Sequence, residues 1–294
     1  MTTQKPKRAE SLKELEEIQG KLFSPEEFGK GLKLKLRPDD VIISPFGKSG
    51  TTWLQQIVHT LRTRGDMDFD DISRVVPWIE TSSALGIDLD AEQKSNPRAF
   101  KSHLDYETIP KGGKYIVSIR NPEDALNSMY KFMEGWFIEP GSISLEEFAL
   151  KRFIASQSYW KHLASWWAHR NDTNVLMLCY EQMTVDPDAL IRRVAEFIDV
   201  PLDDELLAIT LEHSSFSYML EHKDRFDDAL MRALSETKAN LPKGSDSSKV
   251  RKGKIGENSM PEVVQAELNE KWRKLIKETL GFVNYAELVA ELNH

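Results

Sequence analysis

Apolar and polar positions follow two different periods along this chain, and the switches between them mark its elements. Three runs, Val41-Ile42-Ile43, Lys114-Tyr115-Ile116-Val117-Ser118-Ile119-Arg120 and Val175-Leu176-Met177-Leu178-Cys179-Tyr180-Glu181, read as buried strands. Arg98-Ala99-Phe100-Lys101-Ser102-His103-Leu104 is a fourth strand-like run. Helical periods follow. Leu54, Ile57, Val58 and Leu61 fall at i, i+3, i+4 and i+7 and share one face. Asn121 as cap, Pro122 at the first helical position and the acids Glu123 and Asp124 predict a helix running through Tyr130 and Met133. Asp186-Pro187 opens another, with Leu190, Val194, Phe197 and Ile198 inward, and Asp203 or Asp204 begins the next. Ser144 is expected to cap a long helix over residues 144–169, with its aromatic positions in the core. Short and final helices are expected over residues 11–20 and 261–280. Residues 1–10 read as a frayed end and residues 235–250 as a mobile polar loop. Strands alternating with helices predict an α/β fold, a central parallel sheet flanked by helices. It is expected as a single domain over residues 31–294, after an N-terminal extension and short helix over residues 1–30.

Composition narrows the function. The formal charge of −8 argues against nucleic acid as the main partner, so an anionic ligand would have to be held by local cations. There is no apolar run of about 18 residues, hence no expected membrane span. Residues 1–10 are polar and basic, without the apolar stretch of a secretory signal. The single cysteine, Cys179, rules out an internal disulfide and a cysteine-clustered metal site, which fits a cytoplasmic setting. Within its strand it reads as a small apolar residue.

The chemistry begins where the first strand meets the first long helix. Residues 44–50 break at Pro45 and Gly47 and carry Lys48 and Ser49, with Thr51 and Thr52 opening the helix. Strand, glycine-bearing loop and helix N-terminus form an anion site, because unpaired N–H groups and the helix dipole both favour negative charge. Gly47-Lys48-Ser49 fits the end of the nucleotide loop G-x-x-x-x-G-K-[ST], but its first glycine would fall at Ile42. On a strand, Lys101 and His103 would project to the same face. Arg120 suits a phosphate through its planar fork of donors, and Ser128 shares the face of Asn121.

Lys48-Ser49-Gly50-Thr51-Thr52-Trp53 resembles the 5′-phosphosulfate loop of the cytosolic sulfotransferases. Those enzymes move a sulfuryl group from 3′-phosphoadenosine 5′-phosphosulfate (PAPS) to an acceptor hydroxyl or amine, leaving 3′-phosphoadenosine 5′-phosphate (PAP). The family usually has proline before the lysine; Gly47 stands here and should loosen the loop. Lys101-Ser102-His103-Leu104 is similar to the K-x-H-L motif that carries the family's base, although Asp105 replaces the usual following proline. Arg120-Asn121-Pro122-Glu123-Asp124 with Ser128 resembles R-N-P-x-D-x-x-x-S, whose arginine and serine hold the 3′-phosphate. Tyr180-Glu181 and His213-Ser214-Ser215-Phe216 through Met219 resemble segments near the adenine. Arg251-Lys252-Gly253 matches the R-K-G that closes on the 3′-phosphate, while Gly256-Glu257-Asn258 departs from the G-D-W that usually follows. Residues 74–80 are similar to a stretch that walls the acceptor pocket.

The resemblance spans residues 40–280 and implies a PAPS-dependent sulfotransferase that needs no metal. It implies His103 as general base, Lys48 at the leaving 5′-phosphate oxygen and Lys101 at the transferring group. Ser49, Gly50, Thr51 and Thr52 would hold the 5′-phosphate, and Trp53, Tyr180, Ser214 and Phe216 the adenine. Arg120, Ser128, Arg251, Lys252 and Gly253 would select the 3′-phosphate. Trp78, Phe132 and Trp136 would form an apolar pocket for a small phenol, steroid, aliphatic alcohol or amine. The family's dimerisation motif is not recognisable before Asn269, which leaves the oligomeric state open. The other six histidines read as structural. Two alternatives stand beside this reading: a P-loop small-molecule kinase, and a non-catalytic nucleotide-binding protein on the same fold. The missing first glycine opposes the former, and the joint presence of Lys48, Lys101 and His103 opposes the latter.

Overall fold

Four parallel strands, β1 (Val41–Ile43), β2 (Ala99–Lys101), β3 (Lys114–Ile119) and β4 (Val175–Cys179), lie in the order β2-β1-β3-β4 in the computed structural model. The model describes residues 5–247 and 260–292. Alternate strand residues feed opposite cores. Ile42, Phe100, Tyr115 and Val117 join one, while Val41, Ile43, Ala99, Ile116 and Leu178 join the other. That is why the strands read as apolar runs without alternation. The Thr51–Thr63 helix covers the second face with Leu54, Ile57, Val58 and Leu61, all buried. The α/β reading is therefore correct. Because β1 is flanked by β2 on one side and β3 on the other, its carboxyl end is a topological switch point, where open α/β sheets bind ligands.

The capping signals mark true helix starts. Asn121 accepts a hydrogen bond from the Glu123 amide at 2.9 Å and opens Pro122–Trp136. Asp186 caps Pro187–Phe197 and Asp203 caps Asp204–His213 in the same way. Other expectations need correction. The long helix over residues 144–169 is not continuous: Leu145–Phe148 passes into a π-helix, Ala149–Ile154, and the chain breaks at Gln157 (φ 57°) before Ser158–Trp167. At the break, Ser156 turns its hydroxyl back to the Phe153 carbonyl at 2.9 Å, a local bond that competes with the helix ladder. The aromatic side chains Phe148, Phe153, Tyr159, Trp160, Trp166 and Trp167 are nevertheless buried as expected.

The N-terminal segment is not frayed throughout. Ala9 is fully buried, donating to the Phe137 carbonyl at 2.8 Å and accepting from Glu139 at 2.9 Å. The following helix runs Leu12–Leu22 and sends Leu15, Ile18 and Leu22 into the core. Residues 235–238 end the Ala229–Lys238 helix, so the loop begins later than its composition suggests; residues 248–250 lie outside the described residues. The final helix is found as Glu262–Trp272, a π-helical Arg273–Lys277 and Glu278–Leu280, and a further helix, Tyr285–Leu292, packs beside β4. Among the described residues no helix is long and apolar enough to cross a membrane.

Candidate functional site

The loop after β1 is held from behind at successive carbonyls. Ser44 accepts from His162 Nε2 at 3.1 Å and Pro45 from His103 Nδ1 at 2.8 Å. Lys48 accepts from Arg120 at 2.8 Å, and Ser49 from the Ser118 hydroxyl. Burial keeps His162 neutral, its pKa depressed to about 4, so its Nε2 can serve as an uncharged donor. Lys48 (φ 71°) and Gly50 (φ 96°) take left-handed conformations that turn the chain into the Thr51–Thr63 helix. Gly50 is required twice over: its φ favours glycine, and a Cβ there would stand 2.9 Å from the Tyr180 ring. Gly47 is under no such demand, since a Cβ would meet only the flexible end of Met129. The freedom that Gly47 adds is opposed by the carbonyl anchors on both sides of it.

The carboxyl ends of all four strands open into one cleft of about 990 Å³. From the β1 loop and its helix come Lys48, Gly50, Thr51, Thr52 and Trp53; from the end of β2 and just beyond it, Lys101 and His103; from beyond β3, Arg120, Ser128, Phe132 and Trp136. Tyr180 follows β4, and Trp78, Ser214 and Phe216 come from loops and helices farther along the rim. Ser49 is the exception. It is fully buried behind the loop and does not line the cleft. Arg251, Lys252 and Gly253 lie outside the described residues.

Lys101 and His103 reach the cleft by a different route from the pleat alternation expected of them. β2 ends at Lys101, and the last sheet bond is from the Ser102 amide to the Ile43 carbonyl at 2.8 Å. His103 is instead placed by hydrogen bonds, from its amide to Glu80 Oε1 at 2.7 Å and from Nδ1 to Pro45. A carbonyl only accepts, so Nδ1 carries a proton; the neutral form of the ring then has its lone pair on Nε2. Lys101 is buried, with Nζ 4.1 Å from the Trp78 ring and 3.8 Å from Asp228. Lys48 Nζ stands 4.6 Å from the Phe132 ring.

At the other end, the Arg120 guanidinium lies 4.3 Å from the Tyr180 ring, and Tyr180 meets Trp53 edge-on. The backbone here is fixed by Glu181, which accepts from the Asn121 amide at 2.9 Å and from the Tyr285 hydroxyl at 2.7 Å. Around this end, Thr51 Oγ1, Trp53 Nε1 and Arg120 Nε, with Ser49 Oγ behind the loop, are buried yet have no hydrogen-bond partner among the described residues. Buried donors are ordinarily satisfied. Their concentration at a helix N-terminus beside Arg120 and Lys48 fits a ligand rich in acceptor oxygens, such as a nucleotide phosphate.

Residue-by-residue reading missed several cleft residues. Asp228 is buried in the left-handed conformation (φ 50°) at the head of Ala229–Lys238, with its carboxylate facing Lys101. It carries no local signal, because an aspartate in a polar stretch looks like surface. Gln19 and Phe23, at the end of the N-terminal helix, and Met231 also line the cleft. The apolar spacing of that helix marked the face it buries, not the rim residues it contributes.

Residues 38–283 match the family model described as the sulfotransferase domain. Sulfotransferase 1 family member D1 of Mus musculus is 35% identical over 201 residues, covering 63% of this chain and 68% of its own. The crystal structure of mouse sulfotransferase SULT7A1 complexed with PAP superposes with a TM-score of 0.67 at 23% identity, covering 88% of this chain and 92% of that one. Retinol dehydratase, solved in complex with androsterone and inactive cofactor PAP, superposes at 0.70 with 19% identity, covering 93% and 97%. The chain belongs to the sulfotransferase domain family and is a sulfotransferase enzyme.

Proposed function

We propose that this enzyme transfers a sulfuryl group from PAPS to a hydroxyl or amine of a small, largely apolar acceptor, with His103 as the general base. One observation carries the reading: Thr51 Oγ1, Trp53 Nε1 and Arg120 Nε, buried without a partner among the described residues, lie together at one end of the cleft, while the rings of Trp78, Phe132 and Trp136 and the His103 imidazole lie toward the other. The neighbours solved with PAP support the same nucleotide here, and the androsterone held by one of them supports an apolar acceptor.

PAPS supplies the activated sulfuryl group when bound. The chain's residues orient it and handle charge. The N–H groups opening the Thr51–Thr63 helix, with Gly50, Thr51 and Thr52, bind the 5′-phosphate end, and Ser49, buried behind the loop, does not reach it. Arg120 and Ser128 select the 3′-phosphate, and Arg251, Lys252 and Gly253 join them in this reading. Trp53, Tyr180, Ser214 and Phe216 border the adenine. Lys48 and Lys101 place positive charge where negative charge develops, which makes a metal unnecessary. His103 Nε2 takes the acceptor's proton; its Nδ1–H to Pro45 holds the tautomer that makes this possible.

The test is calorimetric binding of PAP, ADP and AMP without added metal. Tight binding of PAP with far weaker ADP and AMP is expected. Equal binding of the three, or binding of ADP that requires Mg²⁺, would overturn the 3′-phosphate reading and favour a kinase.

A further inference from the structure

We propose that Glu80 is a positioning residue for the reaction, acting through the backbone that carries Lys101 and His103. The proposal rests on the roles given to those two residues above. Glu80 is buried and does not line the cleft, so it can act only through others.

Residues 77–80 run beside the end of β2 and extend the sheet by a single bridge, Trp78 to Lys101. The Lys101 amide donates to the Pro77 carbonyl at 2.8 Å, and the Ile79 amide donates to the Lys101 carbonyl at 2.9 Å. The next bond in this series is made by a side chain: Glu80 Oε1 accepts the His103 amide at 2.7 Å. The carboxyl group thus continues a backbone ladder past the point where β2 has ended. The same short segment presents Trp78, whose ring lies 4.1 Å from Lys101 Nζ and 5.3 Å, centroid to centroid, from the His103 ring. One four-residue strip therefore grips both groups from behind and from the side.

The chemistry of the carboxyl group argues for more than packing. Its second oxygen, Oε2, is buried with no well-aligned hydrogen-bond partner among the described residues, the Trp78 indole being a polar neighbour of the carboxyl group. An acid half-satisfied in the interior is unfavourable, and an apolar or amide side chain would serve a purely structural site better. In its ionised form the group accepts an amide N–H more strongly than a neutral oxygen does and sets negative charge beside Lys101. Burial is the dominant influence and raises the group's pKa, against the opposing pull of the His103 amide, the Trp78 indole and Lys101. With the amide held by Glu80 and Nδ1 by Pro45, the His103 imidazole is fixed at two points, which is what aiming Nε2 requires.

Glu80→Ala, Glu80→Gln and His103→Ala would be compared in the full chain, with PAPS and 2-naphthol as acceptor probe, PAP binding by calorimetry and amide exchange of His103 by NMR. For Glu80→Ala, turnover should fall about 10²-fold, the loss expected when a catalytic group shifts by about 1 Å. PAP affinity should stay within about twofold, separating a positioning role from collapse of the site. Glu80→Gln, which keeps an acceptor oxygen, should restore turnover to within about tenfold of the parent. The His103 amide should exchange faster in Glu80→Ala and remain protected in Glu80→Gln; this readout needs no acceptor and decides the matter if 2-naphthol is not turned over. An unchanged His103 amide in Glu80→Ala, or turnover retained there while His103→Ala is inactive, would overturn the role of Glu80. So would loss of PAP binding in proportion to turnover. Normal turnover in His103→Ala would instead remove the general-base reading, leaving the exchange result to stand alone. If Glu80→Ala does not fold, Glu80→Asp, one methylene too short to reach the amide, replaces it with the same expectations.

Discussion

The two ends of the cleft are built on different principles. The end around Arg120, Gly50 and Thr51 is made by continuous stretches of chain, each a strand running through a tight loop into a helix, and its donors are fixed before any ligand arrives. The end around Trp78, Phe132, Trp136 and Asp228 is assembled from segments far apart in sequence, and its surfaces are rings and methionines, with few directional groups. An anion demands donors at set distances and angles, which short local geometry supplies. An apolar acceptor demands only volume and exclusion of water, which many combinations of side chains can provide. The first end should therefore be sensitive to single atoms and the second tolerant of replacement. His103 lies at the junction, tied to the loop through Pro45 and to the outer wall through Glu80.

The sharpest way to separate the ends is His103→Ala. Turnover should fall by about 10²–10⁴, the usual worth of a general base, while PAP binding measured by calorimetry stays unchanged. Loss of both together would mean that the two ends are one unit.

Acid should act next, through His162 beneath the loop. Its folded pKa of about 4 lies below the ordinary 6.5, so between these values the unfolded chain binds a proton that the buried ring refuses. Stability is then complete above about pH 6.5 and falls as the pH drops toward 4, by on the order of 3 kcal/mol from this group. Urea midpoints taken from pH 7 to pH 4 would show this fall, and His162→Gln should flatten it. A parent midpoint independent of pH would contradict the assignment. His59, also buried and depressed to about 4, adds to the same slope and should remain in the variant.

Arg120→Ala should weaken PAP by about 10–100-fold, the range for hydrogen bonds to a charged group, and AMP far less. Equal losses would place Arg120 on a part that both nucleotides share. The smallest effect is expected at the seam, where Lys48 lies over Phe132. Phe132→Leu keeps the apolar volume but removes the ring face. It should weaken PAP only about two- to fivefold by calorimetry, in line with a partly exposed cation–π contact. A larger loss would make Phe132 part of the donor end.

How much of this was legible beforehand follows the same division. The strand-loop-helix around Lys48, the cap at Asn121 and the pairing of apolar runs with helical periods are local properties, set within a few residues by φ/ψ preference, capping and side-chain spacing. Lys48, Thr51, Thr52, Arg120, Ser128 and Tyr180 were accordingly named and do line one cleft. Ser49 was named with them, but its position is set by the turn between Lys48 and Gly50, which directs it inward. The break at Gln157 escaped because the apolar pattern continues across it. Ala9 looked frayed because its hydrogen-bond partners, Phe137, Glu139 and Ser142, lie more than a hundred residues away.

The sequence by itself determined the α/β alternation, the anion-binding loop and the identity of the charged and aromatic groups, because each depends on neighbours along the chain. Only the tertiary structure decided that β1 lies between β2 and β3, so that the carboxyl ends of all the strands open into one cleft. It alone put Glu80 under His103 and Asp228 opposite Lys101. Such pairings join residues tens to more than a hundred positions apart, and their partners are selected by packing and burial, which no local pattern records.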